Sequence, residues 1–122
     1  MGRFDPALVA RYAIVARVTR AFFCANHIEA GEEFVFDLEG RLLPDQSTAN
    51  FCIGMISKLH PAILMAQDRL AEGLAPVSPS FRHFDCFDTG IDHGGTGKVY
   101  VALSLRDRIS GGTVERVEGP AA

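Results

Sequence analysis

Three cysteines, Cys24, Cys52 and Cys86, are the residues of this sequence whose chemistry is most distinctive. Thiolate, imidazole and carboxylate are the ligand types for zinc or iron, so nearby polar residues join the candidate set. Those neighbours are His27, Asp88, Asp92 and His93. Cys24-x-x-His27 offers two ligands from one turn, whereas Cys52 and Cys86 must converge through tertiary structure. We therefore predict Cys24, His27, Cys52 and Cys86 as ligands of zinc or iron, or a thiol site without a metal.

Cys86 has the strongest case for catalysis. It precedes Asp88 and a glycine-rich loop that contains His93. A nearby imidazolium favours the thiolate, and glycines let a substrate approach the backbone closely. Cys86, Asp88 and His93 are therefore the predicted catalytic residues. A buried, inert thiol is the alternative for Cys86, and for Cys52, which lies on a helical stripe, cysteine statistics favour the core.

The segment HGGTGK, from His93 to Lys98, resembles a phosphate-binding loop but fails the motif. That motif requires a glycine where Asp92 stands and a serine or threonine where Val99 stands. The following residues also resemble a strand rather than a helix. We expect a hairpin loop here.

Composition and charge restrict the possible partners. Apolar residues make up 48% of the chain and charged residues 22%, which is typical of a globular domain. The net charge is -3 and the acids and bases are interleaved, so we expect no nucleic-acid partner. The apolar runs are too short to cross a membrane, and arginines interrupt any signal-like segment. An odd number of scattered cysteines favours free thiols in a reducing, cytoplasmic setting.

The apolar periodicity changes along the chain from strand to helix and back. We predict strands over 11–23 and within 32–40, where Glu39-Gly40 is a turn candidate, a short returning strand at 41–43, and a hairpin of 80–87 with 98–105. A helix beginning near Pro6 is an alternative for part of the first strand. Between them, helical spacing runs from Phe51 through Met55 and Leu59, with possible caps at Ser47, Thr48 or Asn50. Because Pro61 removes a backbone donor, we expect two short helices there, the second ending at Gly73.

These elements predict an α+β fold, with a small antiparallel or mixed sheet of about four to five strands and two helices on one face. We expect a single domain over 1–122, with an ordered core over about 8–108 and a flexible tail over 109–122. The phenylalanines are expected mainly in that core, and the alternative is that some of them line an apolar pocket. The residues concerned are Phe22, Phe23, Phe34, Phe36, Phe51, Phe81, Phe84 and Phe87.

The cysteines also stand in short motifs: Cys24 before Gly31-x-x-Phe34, the pair Phe51-Cys52, and Cys86-x-Asp88-x-Gly90 before an apolar strand. This arrangement, from Val15 to Leu105, resembles a family of small uncharacterised prokaryotic proteins. The sequence departs from that pattern in lacking tryptophans after Phe-Cys and in an apparent insertion over 91–97. The resemblance brings no activity, but implies that the three cysteines belong to one constellation.

Two classes of function fit the sequence. The first is a cysteine-centred metal or thiol site near the glycine-rich loop over 88–98, whose reaction class stays open among hydrolysis, lyase chemistry and structural metal binding. The second is a non-catalytic accessory subunit, or a module that binds a small molecule or a protein partner and forms a homo-oligomer. The many phenylalanines favour the second, and the glycine-flanked Cys86 favours the first.

Overall fold

The computed structural model describes residues 4–88, 90, 93–95 and 97–118. Seven elements follow one another in the order α1 (Pro6–Arg11), β1 (Tyr12–Phe22), β2 (Glu33–Asp37), α2 (Ile53–Ala71), β3 (His83–Asp85), β4 (Lys98–Asp107) and β5 (Thr113–Val114). The strands form one antiparallel sheet in the order β2-β1-β4-β3, and β5 pairs with β4. The structure confirms the predicted α+β class with a small sheet and two helices.

Helix α1 and strand β1 divide the segment that was predicted to begin with a strand. The carboxylate of Asp5 accepts the amide of Ala7 at 2.8 Å, and Pro6 occupies the first turn, where its missing N–H costs nothing. The β-branched and aromatic residues from Tyr12 onward then favour the extended chain. The alternative of a helix beginning near Pro6 is therefore correct for residues 6–11.

Strands β1 and β4 form the centre of the sheet. Their register runs from Tyr12 opposite Asp107 to Phe22 opposite Lys98, with an irregularity between Val18 and Arg20. Strand β3 pairs with the first half of β4, which confirms the predicted hairpin with a long connection. Residues 89, 91, 92 and 96 of that connection lie outside the described residues. Residues 22–24 therefore meet residues 86–88, 97 and 98 at one end of the β1–β4 pair.

Ser47 and Thr48, which the sequence predicts as possible caps of α2, instead bond to the edge of the sheet. The Oγ of Ser47 accepts the amide of Val35 at 2.9 Å, and the Oγ1 of Thr48 accepts the amide of Glu33 at 2.9 Å. Strand β2 is an edge strand, so its outward amides need such partners. The predicted returning strand at 41–43 is reduced to one bridge, between Phe36 and Leu42.

A single helix, α2, takes the place of the two short helices predicted around Pro61. Pro61 lies inside α2 on its exposed side. The buried stripe continues on both sides of it, through Met55, Leu59, Ala62, Ile63, Ala66 and Leu70. Because the carbonyl that Pro61 leaves unpaired is near solvent while the apolar stripe is continuous, packing outweighs the local cost of proline.

The core lies between α2 and one face of the sheet. It contains the α2 stripe, Leu8 of α1 and alternate residues of β1, β2 and β4, among them Ile14, Phe34 and Val101. A smaller cluster of Ala13, Val15 and Val35 lies on the opposite face of the sheet, with Leu43 packed against it. The large core fixes the position of α2, and with it the helix start that carries Cys52.

The chain beyond Arg108 returns to the sheet. Thr113 and Val114 pair with Arg106 and Leu105, and Val117 is buried in the main core. These residues belong to the segment that was expected to be a flexible tail, of which residues 119–122 lie outside the described part. Within the described residues, no helix is both long enough and apolar enough to span a membrane.

Candidate functional site

A cavity of about 170 Å³ opens at the end of the β1–β4 pair where Phe22 lies opposite Lys98. Its walls come from four separate segments: residues 24–28 after β1, residues 52–55 at the start of α2, residues 86–88 after β3, and residues 97–99 at the start of β4. Each of the first three segments carries one cysteine. All three cysteines of the chain, Cys24, Cys52 and Cys86, therefore line the same cavity, and all three are free thiols. We call this space the cysteine cavity.

Cys24 lies on a tight turn with an unusual backbone. Phe23 before it has φ 51° and His27 after it has φ 58°, values in the left-handed region that side-chain-bearing residues rarely adopt. The amide of His27 donates to the carbonyl of Cys24 at 3.0 Å and closes the turn. Such strain persists only where the surroundings impose it, and it is concentrated at functional sites.

Two asparagines join the Cys24 turn to the chain that leads into α2. The side chain of Asn26 donates to the carbonyl of Phe51, and the side chain of Asn50 donates to the carbonyl of Asn26 at 2.8 Å. These reciprocal bonds lie immediately before Cys52. They hold the first two cysteine segments against each other, although Cys24 and Cys52 are 28 positions apart in sequence.

Cys52 is the N-cap residue of α2, with extended backbone dihedrals. Within the described residues its side chain makes no capping hydrogen bond, unlike the serine, threonine or aspartate usually found there. Gly54 follows in the first turn and also lines the cavity. The positive end of the helix dipole therefore faces the cavity wall that bears the Cys52 thiol.

Cys86 is the most enclosed of the three cysteines, with 8% of its surface exposed. Its amide donates to the carbonyl of Val99 at 3.0 Å, and its Sγ accepts the amide of Val99 at 3.4 Å. This pair of bonds fixes the sulfur against the start of β4. Because an N–H group points at the sulfur, the cavity wall offers partial positive charge to it.

Lys98 ties the Cys86 segment to the sheet. Its ammonium donates to the carbonyls of Cys86, at 3.0 Å, and Asp88, and pairs with the carboxylate of Asp85 at 3.2 Å. Asp85 also pairs with Lys58 of α2 at 3.5 Å. Partial burial alone would raise the pKa of Asp85, but Lys98 and then Lys58 hold that pKa below its ordinary value. The charge of Lys98 thus serves to position residues 86–88.

Three glycines of the connection after β3, Gly90, Gly95 and Gly97, make close contacts beside the cavity. The amide of Gly90 donates to the carboxylate of Asp88 at 2.8 Å, and a side chain on Gly95 would collide with that carboxylate. A side chain on Gly97 would collide with the carbonyl oxygens of Phe22 and Phe23. Gly97 therefore permits the close contact between the start of β4 and the turn that carries Cys24.

The predicted site residues fall into two groups. Cys24, Cys52, Cys86 and Asp88 line the cavity. Among the described lining residues His27 and His93 do not appear; both are exposed, and the amide of His93 donates to the carbonyl of Gly90 at 3.1 Å. The candidate Asp92 lies outside the described residues. Within the described part of the chain, no three His, Cys, Asp or Glu side chains form a group arranged to hold a metal ion.

Several site residues were missed in the sequence, including Asn26, Gly54, Met55 and Lys98. Their signal was weak, although a glycine in the first turn of a helix can mark a close approach. Each cysteine adjoins a phenylalanine in sequence, Phe23, Phe51 or Phe87, of which only the pair Phe51-Cys52 was noted from the sequence. These three side chains are 77%, 59% and 63% exposed, which corrects the expectation of a core position, while Phe87 lines the cavity. Phe22 and Phe81 are exposed as well, whereas Phe34 and Phe36 are buried.

No family model matches the chain, and no curated protein and no solved structure matches it significantly. The resemblance to a family of small prokaryotic proteins stays a prediction.

Proposed function

We propose that this chain is a small protein whose function depends on a cysteine-centred site, in which Cys24, Cys52 and Cys86 together bind a thiophilic metal centre. One observation carries the proposal: the only three cysteines of the sequence, on three separate segments, line one cavity. Cysteine is otherwise a small, frequently buried residue, and buried cysteines have no reason to share one opening. The donor set suits zinc or iron, both of which accept thiolate ligands.

The surroundings of the cavity support a site that holds its ligand firmly. Its three thiol-bearing segments are fixed by the asparagine pair, by the start of α2 and by the Lys98 contacts. Such fixation reduces the ordering that a ligand would otherwise impose on binding. Because all three thiols are free, we also propose that the protein works in a reducing compartment such as the cytoplasm.

The test is the metal content of protein purified anaerobically without an affinity tag or a chelator, combined with counting reactive thiols before and after unfolding. The proposal predicts bound zinc or iron, and thiols that react fully only after metal removal or unfolding. Cys24→Ser and Cys52→Ser, at half-buried positions, should each lose the metal and remain folded. Ser80→Ala, at an exposed position outside the cavity, is the control. Metal-free protein whose thiols all react without regard to added zinc or iron would refute the proposal.

The exposed phenylalanines favour a second candidate function, a partner-binding module that associates with a second copy of itself. Phe23, Phe51 and Phe87 expose large apolar surfaces next to the three cysteines. Sedimentation analysis over a range of concentrations tests this function. A dimer that Phe51→Ser and Phe87→Ser convert to a monomer would support it, and a monomer at all concentrations would exclude self-association.

A further inference from the structure

The size of the cysteine cavity indicates what kind of metal centre it would hold. The cavity measures about 170 Å³. An engineered apolar cavity of about 150 Å³ accommodates a benzene molecule. A single zinc or iron ion bonded to thiolates at about 2.3 Å would fill only a small part of such a space. The three thiols therefore surround room for a ligand of several heavy atoms.

The distribution of the three thiols also favours a ligand of several atoms over a single metal ion. Cys24, Cys52 and Cys86 line the cavity from three separate segments of the chain. In a cubane cluster of four irons each cysteine ligates a different iron, so the ligand sulfurs stand around the cluster and not around one point. Ile28, Met55 and Val99 also line the cavity, and an apolar lining restricts the contact of water with an inorganic core.

Two groups at the cavity, the Val99 amide and the start of α2, would offset the negative charge of bound thiolates and sulfides. The amide of Val99 donates to the Sγ of Cys86, and α2 directs its positive end to the wall at Cys52. Thiolates and bridging sulfides would bring several negative charges into a small volume. Hydrogen bonds to sulfur are among the means by which proteins stabilise iron–sulfur clusters and set their potentials.

From these observations we infer that the cysteine cavity binds an iron–sulfur cluster through Cys24, Cys52 and Cys86, with the amide of Val99 hydrogen-bonded to one ligand sulfur. The inference rests on the proposed function and names the class of its metal centre. Each thiol gives up its proton to solvent when its sulfur bonds to iron. With three cysteine ligands, a cluster of four irons keeps one iron without a protein thiolate, and Asp88 supplies a carboxylate in the adjoining wall.

The experiment is anaerobic reconstitution of the full chain with ferric iron, sulfide and dithiothreitol, which supplies the reducing electrons, followed by gel filtration. We expect iron and acid-labile sulfide to remain on the protein in similar amounts, with visible sulfur-to-iron charge-transfer absorption and a cluster signal by Mössbauer spectroscopy. Cys24→Ser and Cys52→Ser should lose most of the retained iron and sulfide, whereas Ser80→Ala retains both. Because Cys86 is buried, the folding of Cys86→Ser is checked by circular dichroism before its result is used.

A parallel titration with zinc alone distinguishes the failure of this inference from failure of the proposed function. Retention of zinc through the cysteines, together with no retention of sulfide, would overturn the cluster and leave the cysteine-centred site standing. If neither zinc nor iron with sulfide is retained by the folded protein, both proposals are wrong. Iron and sulfide that remain equally on all cysteine variants are adsorbed material, and that outcome also overturns the inference.

Discussion

The two ends of the β1–β4 pair are built in opposite ways. At one end, which we call the sealed end, Tyr12 lies opposite Asp107, and Arg11 pairs with Asp107 at 3.2 Å. The hydroxyl of Tyr12 accepts the amide of Glu118 at 3.0 Å, and Asp107 accepts the amides of Ile109 and Ser110. Polar groups at this end join the start of β1 and the end of β4 to the segments beside them.

At the other end, which we call the cysteine end, the same two strands finish at Phe22 and Lys98 and leave the cysteine cavity open. Strained backbone at Phe23, exposed phenylalanines and a helix start without a side-chain cap occur together there. Each of these features costs stability in isolation. The difference agrees with our proposal that the sealed end supports the fold and the cysteine end binds a ligand.

The largest expected effect is at the sealed end. Tyr12→Ala removes a side chain that is 1% exposed and should lower the free energy of unfolding by about 3–5 kcal/mol, the range for large aromatic core residues. Tyr12→Phe, which removes only the acceptor of the Glu118 amide, should cost roughly 0.5–1.5 kcal/mol. Urea denaturation measures both. The amount of metal retained by Tyr12→Phe should be unchanged under conditions in which the variant is folded. A loss of metal would show that the sealed end and the cysteine end are coupled.

A smaller effect is expected from Asp107→Asn, and it depends on pH. The hydrogen bond from the Ile109 amide and the contact with Arg11, against the opposing effect of burial, hold the pKa of Asp107 below its ordinary value of 3.8. Its contribution to stability is therefore complete above that pH and is lost as pH falls through the lower, folded pKa. Unfolding of both proteins from pH 7 to pH 2 should show a gap that closes in acid. A gap that widens in acid contradicts this assignment.

At the cysteine end, Gly54→Ala should separate stability from binding. A Cβ on Gly54 meets its nearest neighbours, in Cys52 and Phe87, at 3.9 Å, so the added methyl group fits without a clash. Alanine in a helix is favoured over glycine by about 0.5–1 kcal/mol, so the variant should be more stable. The methyl group also occupies cavity space and should reduce retained iron and sulfide. Higher stability with undiminished retention of iron and sulfide would mean that the cavity wall at Gly54 does not restrict the space for the ligand.

The smallest effect should appear at two adjacent phenylalanines. Asparagine tolerates the left-handed region better than phenylalanine, so Phe23→Asn should leave stability unchanged or raise it by up to about 1 kcal/mol. In the matched variant Phe22→Asn the substitution falls in β1, where the Cζ of Arg20 lies 4.8 Å from the centroid of the Phe22 ring. This variant should lower stability. Thermal unfolding compares the two. A clear loss in Phe23→Asn would show that the exposed ring is needed for packing.

The sequence predicted the sheet better than the helices, for identifiable reasons. In Lys98–Asp107 buried and half-buried residues alternate, so the period of two in the sequence reflects burial on one face, which is a local property. Phe34 and Phe36 lie in the main core, whereas Val35 between them is buried on the opposite face of the sheet. At Pro61 a local rule favoured an interruption, but the tertiary contacts of Leu59 and Ile63 hold one helix. Ser47 and Thr48 looked like helix caps because their partners, the amides of the edge strand β2, were not visible in sequence.

The candidate site was predictable by residue type and not by geometry. The cysteines and Asp88 could be named because their chemistry is distinctive. His27 was included because of its spacing from Cys24, but its left-handed backbone belongs to a turn and its side chain is exposed. Lys98 was missed because its role depends on the carbonyls of Cys86 and Asp88, which approach it only after β3 and β4 pair.

The central claim is that three cysteines act as one ligand set at the cysteine end. Its most direct test is an anaerobic titration of the reduced protein with cadmium, following the ultraviolet sulfur-to-cadmium charge-transfer absorption, which grows with the number of bonded thiolates. We predict saturation with an absorption that corresponds to three thiolates per chain and falls by one thiolate's share in each single Cys→Ser variant that folds. An absorption that does not change when Cys24 or Cys52 is replaced would contradict the claim.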